Sequence, residues 1–261
     1  MYERAITLDP KFALAHAALA DVFAMIYEFH DKAASWIERG IAACDRALSL
    51  EANLPEGLVS RGRLAYAQKN YSEAVQLARM AIERKPNCPG AYNVLGRALF
   101  ASDRWQEAVD LMDQALAANG DDYNLYIVFI NVLGSLGRHE EALKVRQREL
   151  VILRQQLELT PDNVRARILL AADLAAMDQK VEAMKELERS VAMRPNDANI
   201  LYNAACTYGV MGMKAEALAL ARKTVDVGYT NRDWMARDPD LACLHDDPEF
   251  QALCSTGSPK T

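Results

Sequence analysis

The residues able to ligate a metal or start a nucleophilic reaction are few and scattered. Histidine occurs only at His16, His30, His139 and His245, and none has a second His or Cys at a ligand spacing on the same stretch. A metal centre needs three or four convergent ligands, so all four read as packing or surface residues. Cys44, Cys88, Cys206, Cys243 and Cys254 are odd in number and form no C-x-x-C pair. They read as small core residues of a chain kept in a reducing compartment. Gly209-Val-Met-Gly-Met-Lys214 lacks the Gly-Lys-Ser/Thr ending of a phosphate loop and follows a helical stretch rather than a strand. Glu140-Glu141 and the pairs between Glu186 and Arg189 read as charges on solvated helix faces. No nucleophile–base pair, metal set or cofactor loop is visible, so catalysis, metal and cofactor are all expected to be absent. What remains is Arg63, Arg97 and Asn131, spaced by 34 residues, with Tyr66 and Phe100 three residues beyond the two arginines. Arginine can fork onto a carboxylate, and asparagine can pair with a peptide backbone.

Such residues meet only if helices of fixed length carry them. The chain has 261 residues, 51% apolar and 25% charged, enough to bury a core and too apolar for wholesale disorder. Ala and Leu abound and β-branched runs are rare, which favours helix. A net charge of −6 argues against a nucleic-acid grip. No stretch approaches the ~18 consecutive apolar residues of a membrane helix. The start, Met-Tyr-Glu-Arg, has no signal-peptide pattern, and a cytoplasmic location is expected.

The helical stretches repeat. Pro10, Ala52, Pro86, Gly120, Pro161 and Pro195 hold equivalent places, at steps of 42, 34, 34, 41 and 34 residues. The two long steps exceed 34 by about two helical turns. Ten residues after each lies a small residue, Ala20, Gly62, Gly96, Ala171 or Ala205, with Ile130 in the fourth unit. A second small residue follows at Ala74, Ala108, Ala142, Ala183 and Ala217. Small side chains at fixed points let paired helices approach closely. The pattern predicts first helices near 12–29, 55–68, 89–102, 122–136, 163–177 and 197–211. Second helices are predicted near 33–50, 71–85, 105–118, 139–159, 180–193 and 214–227. N-caps fall at Asp121 or Asp122, Asp162, and Asn196 or Asp197.

This sequence resembles the tetratricopeptide repeat, best in Tyr92-Asn-Val-Leu-Gly96 with Trp105-Gln-Glu-Ala108, and in Tyr71-Ser-Glu-Ala74 with Met80-Ala-Ile82. The resemblance implies an all-α fold, a right-handed superhelical solenoid of antiparallel helix pairs. It would span 1–229 as a leading half repeat plus about six pairs. First helices would line a concave groove, bringing Arg63, Tyr66, Asn93, Arg97, Phe100, Asn124 and Asn131 to its inner wall. Arg63, Arg97 and Asn131 would then stack as a polar ladder with aromatic neighbours, suited to an acidic or carboxylate-bearing segment. Some relatives clamp a C-terminal carboxylate with lysines on this wall, and those lysines are absent here.

Met1 to Leu8 reads as a second helix lacking its partner, as in the C-terminal part of a longer protein, a truncated gene or a native capping helix. Residues 230–254 hold Trp234, Leu241, Leu244 and Phe250 at spacings suited to a cap over the last pair, with the acids facing water. Residues 255–261 are expected to be disordered. The tail resembles those closing repeat arrays of bacterial signalling proteins. Two roles follow: a non-catalytic scaffold holding a peptide or partner protein in its groove, or the regulatory C-terminal domain of a bacterial kinase, nucleotide cyclase or winged-helix regulator. Neither requires nucleic acid or membrane, and the oligomeric state is open.

Overall fold

The structure, a computed structural model, describes residues 1–29 and 31–255. The expectations for His30 and for the tail from residue 256 onward lie outside the described residues. Secondary structure is helical throughout, with no strand among the described residues. The chain divides into two compact units, 1–142 and 143–261.

In the N-terminal unit a leading helix α1 (Tyr2–Leu8) precedes α2 (Ala13–Phe29), α3 (Ala34–Leu50), α4 (Pro55–Ala67), α5 (Tyr71–Arg84) and α6 (Ala91–Ala101). Then come α7 (Trp105–Asp110), α8 (Met112–Asn119) and α9 (Tyr123–Ser135). The unit boundary falls inside α10 (His139–Leu159). The C-terminal unit continues with α11 (Val164–Ala176), α12 (Lys180–Met193), α13 (Ala198–Val210) and α14 (Lys214–Asp226). It closes with α15 (Arg232–Met235), a 3-10 segment Pro239–Leu244 and α16 (Pro248–Ser255). Helices pair as hairpins, α2 with α3, α4 with α5, α11 with α12 and α13 with α14, while successive first helices pack side by side. Thus the sequence period set nearly every boundary. Ser255 is the exception at the tail, ending a helix rather than starting a disordered segment. The second helix of the third hairpin is also split: the Leu111 N–H bonds to Ala108, a three-residue step that tightens the helix locally.

Five hairpin turns are built alike. Lys69, Asp103, Gly137, Asp178 and Gly212 all take a left-handed backbone. The N–H following each of them reaches back five residues, as from Asn70 to Ala65 and from Arg104 to Leu99. The preceding N–H closes a shorter loop, as from Lys69 to Tyr66. This paired pattern satisfies the orphan carbonyls of a helix end. At the next helix start, Asp122 and Asp197 cap as expected, but Asn163 rather than Asp162 receives the Ala166 N–H. Asn163 is the residue directly ahead of Val164, the place an N-cap must occupy.

The small residues are buried where expected, Ala20, Ala74, Ala108, Ala171, Ala183, Ala205 and Ala217 completely so. A side chain on Gly96 would begin 2.7 Å from Cγ1 of Val128 on α9. Its smallness therefore serves the neighbouring first helix more than its own hairpin.

The C-terminal unit buries three acids on its helices. Glu186 is 7% exposed and joins Arg167 and Arg189, so it is not on a solvated face. Glu149 and Asp173 are 1% and 2% exposed and lie against each other, and Arg146 Nη1 donates to Asp173 Oδ1 at 2.6 Å. Burial, then the Asp173 charge, holds the Glu149 carboxyl well above the carboxylate range, while burial lifts Asp173 to about 6 against the pull of Arg146. Arg165 also faces Glu149, and Asp240 faces Arg146. Both carboxyls are thus raised above their unfolded values. Their stabilising contribution is full below those values and is lost as pH rises through the folded ones. Glu149→Gln keeps the shape without the proton. Its stability relative to wild type should be near zero below pH 4.5, the ordinary Glu value. Above that it should grow by about 1.4 kcal/mol per pH unit. Denaturant midpoints of both proteins across pH measure this, and a constant gap would refute it.

Candidate functional site

The site expected from the sequence lies wholly in the N-terminal unit, on the first helices α4, α6 and α9. Arg63 is there, but not free: its Nε donates to Asp21 Oδ1 at 2.6 Å. Asp21 holds the same register one unit earlier, eleven residues past Pro10 as Arg63 is eleven past Ala52. Arg97 lies with its guanidinium 4.3 Å from the Tyr66 ring centre. Both its terminal nitrogens donate to Glu28 of α2, Nη1 at 3.2 Å to Oε2 and Nη2 to Oε1. The long first step explains this partner. About one of its two extra turns falls in α2, which has 17 residues where α4 has 13 and α6 has 11. The added length carries Glu28 to a helix two units on. The ladder is therefore not an excess of positive charge. Each of its arginines already holds a carboxylate, and Glu56 on the same wall is bound by Lys85 at 2.7 Å.

The other expected residues are placed as follows. Tyr66 is half-buried, 5.5 Å from the Tyr71 ring, and burial pushes its hydroxyl up to about 12. Asn93 Nδ2 donates to the Asn124 carbonyl at 3.1 Å, and the Asn124 amide nitrogen donates to Asp122 Oδ1 at 2.9 Å. Phe100 packs on Trp105, whose indole N–H donates to the Phe100 carbonyl at 3.2 Å. Asn131 is exposed to solvent.

Beside Arg63 the wall opens into a cavity of about 460 Å³. Phe12, Leu14, Ala18, Val59 and Pro89 line it, with the Asp21–Arg63 pair among its polar lining. Phe12 and Leu14 are each 44% exposed, so apolar surface faces water at its rim. Clustered exposed apolar surface of this kind marks interaction sites more often than isolated exposed residues do. The ladder pattern pointed to this wall but not to the cavity, whose lining is shared among several elements.

A tetratricopeptide-repeat family model matches residues 59–123, the span of the two best-fitting repeats. Over 74% of this chain and 98% of its own, the structure of TTC0263, a thermophilic TPR protein in Thermus thermophilus, aligns at 19% identity with a TM-score of 0.55. Residues 59–123 are thus matched to the tetratricopeptide repeat, and the solved structure shares the fold over a longer stretch. The chain is also similar to the Cut9–Hcn1 hetero-tetramer of APC/C, over 97% of this chain and 44% of that one, at 11% identity and a TM-score of 0.60. YrrB, described as a TPR protein with an unusual peptide-binding site, aligns at 22% identity over 71% of this chain and 92% of its own, with a TM-score of 0.44. No curated protein matches significantly. Each unit is an all-α array of helical repeats. No helix among the described residues is long and apolar enough to cross a membrane.

Proposed function

We propose that this chain is a non-catalytic scaffold whose first-helix wall, in the N-terminal unit, holds an extended segment of a partner protein. The observation that carries the reading is the 460 Å³ apolar cavity beside Arg63 with exposed Phe12 and Leu14 at its rim. An apolar side chain of the segment enters the cavity, and its backbone runs past Asn93 and Asn131. The acidic or carboxylate-bearing ligand suggested by two arginines becomes a narrower proposal. A ligand carboxylate reaching Arg97 exchanges with Glu28, so charge contributes selectivity and the cavity contributes most of the affinity. Asp21, Glu28 and Glu56 already balance Arg63, Arg97 and Lys85, so added salt weakens binding only modestly.

Burying one Leu-sized side chain is worth about 1.5–3 kcal/mol, roughly tenfold to over a hundredfold in affinity. Peptides selected from a displayed library on the wild-type chain should therefore bind Leu14→Glu at least tenfold more weakly, with helix content unchanged because Leu14 is already exposed. Arg97→Glu should shift selection away from acidic peptides. A Leu14→Glu protein retaining every wild-type binder would reject the cavity as the site.

A further inference from the structure

We propose that Cys206, Asp238 and Asp240 form a binding site for a divalent transition-metal ion of the zinc class in the C-terminal unit. Scattered cysteines gave no such expectation. The tail folds back on α13, however, and brings residues more than thirty apart in sequence into contact. One ligand atom from each of the three side chains lies within 4.8 Å of the other two. Cys206 Sγ and Asp238 Oδ2 are 3.6 Å apart. A tetrahedral zinc centre with arms of about 2.3 Å to sulfur and 2.0 Å to oxygen has an S···O edge of roughly 3.5 Å. That edge is already made here.

The charge balance points the same way. Asp238 is 6% exposed, and no Lys, Arg or His side chain forms an ion pair with it or with Asp240 among the described residues. Arg146, bound to Asp173, acts on Asp240 only from farther off. Buried carboxylates are otherwise paired or coordinate metals. The Cys206 thiol, itself 7% exposed, bonds to Asp238 within the set. A thiol beside two carboxylates favours a borderline-soft ion over calcium or magnesium, which prefer all-oxygen shells of six or more.

The surroundings hold these groups in place. The Asp240 N–H donates to Asp238 Oδ1 at 3.0 Å and the Tyr202 hydroxyl donates to Oδ2. Tyr202 stacks on Tyr229, ring centres 4.6 Å apart. A Cβ on Gly209 would overlap the Asp240 carbonyl, so glycine there lets the loop lie on α13. Asp240 is exposed as a residue, which leaves an entry path and a fourth position for water, while protein crowding and the Asp238 charge lift its carboxyl to about 6. Burial, then the two carboxylates, pushes the Cys206 thiol well up. Binding converts Cys206–SH and M²⁺ into a Cys206–S–M bond and one released proton, with no change of oxidation state. Affinity therefore rises about tenfold per pH unit while the thiol is protonated in the free protein.

The test is titration of the full metal-free chain with Co²⁺, then Zn²⁺. The expected result is one equivalent bound with a thiolate-to-cobalt charge-transfer band, displaced by Zn²⁺ and insensitive to Ca²⁺. Cys206→Ser should lose the band, while Cys243→Ala/Cys254→Ala keeps it. Asp240→Asn, a near-isosteric change at an exposed position, should weaken binding at least tenfold at unchanged helix content. Tyr202→Phe should weaken it by roughly 10–100-fold. Absence of the band in wild type, its survival in Cys206→Ser, or wild-type affinity in Asp240→Asn would each overturn the site.

Discussion

Phe250→Ala should lower the unfolding free energy of the C-terminal unit by about 3–5 kcal/mol, the usual cost of emptying a fully buried Phe site. Phe250 is 1% exposed and belongs to a cluster with Tyr202, Ala205, Ala217, Ala221, Met235, Leu241 and Leu244. Three short elements, α15, the 3-10 segment and α16, supply Met235, Leu241, Leu244 and Phe250 to it. Their own backbone hydrogen bonds are too few to fold alone, so the tail is ordered only by covering the apolar face of α13 and α14. Phe250 sits at the far end of that cover, and Arg222 on α14 pairs with the neighbouring Glu249. Removing the ring should release α16 first. In hydrogen exchange, the amides of α13 and α14 should lose protection while those of α4 and α6 keep it. Truncation after Val227 should go further and give aggregation or dimerisation. A Phe250→Ala protein with the wild-type denaturant midpoint would show the cap to be dispensable.

Gly96→Leu should cost at least about 3 kcal/mol, at or beyond the upper end for overpacking. The first added atom lies 2.7 Å from a methyl of Val128, and Val128 is 6% exposed. A β-branched side chain in a helix has essentially one rotamer, so Val128 cannot swing away. The helices α6 and α9 must separate, and both carry the proposed binding wall. Ile130, at the equivalent place one unit later and 5% exposed, already fills its space. Ile130→Leu, a volume-conserving change, should cost less than about 1.5 kcal/mol. Thermal melts of the two variants beside wild type check the contrast, and equal melting temperatures for wild type and Gly96→Leu would show the register to be wrong.

The helices were legible because a repeat states the same rule many times. Small residues at Gly62, Gly96, Ala171 and Ala205, and left-handed turn positions at Lys69, Asp103, Gly137, Asp178 and Gly212, recur in phase with the 34- and 41-residue steps of the repeat. Local physics decides each of them. The shared register of Arg63, Arg97 and Asn131, 34 residues apart, was legible for the same reason. The partners of the two arginines were not. Asp21 follows from the register once Pro10 is aligned, but Glu28 reaches Arg97 only because α2 is longer than its successors. Two buried acids were misread for a general reason: Glu186 and Asp238 look like solvent residues in any local window. Only the packing of a neighbouring helix or the returning tail buries them. Asp238 in particular was expected to face water and instead sits under Tyr202, since nothing local in Asp238-Pro-Asp240 tells where that loop comes to rest.

The central claim is that the first-helix wall of the N-terminal unit is the partner-binding surface. Amide chemical-shift mapping of the full chain with a library-selected peptide tests it most directly. The account predicts perturbations at Leu14, Ala18, Val59 and Arg63, extending to Asn93 and Asn131, and abolished for Leu14→Glu. Perturbations confined to the second helices α3 and α5, unchanged in Leu14→Glu, would contradict it.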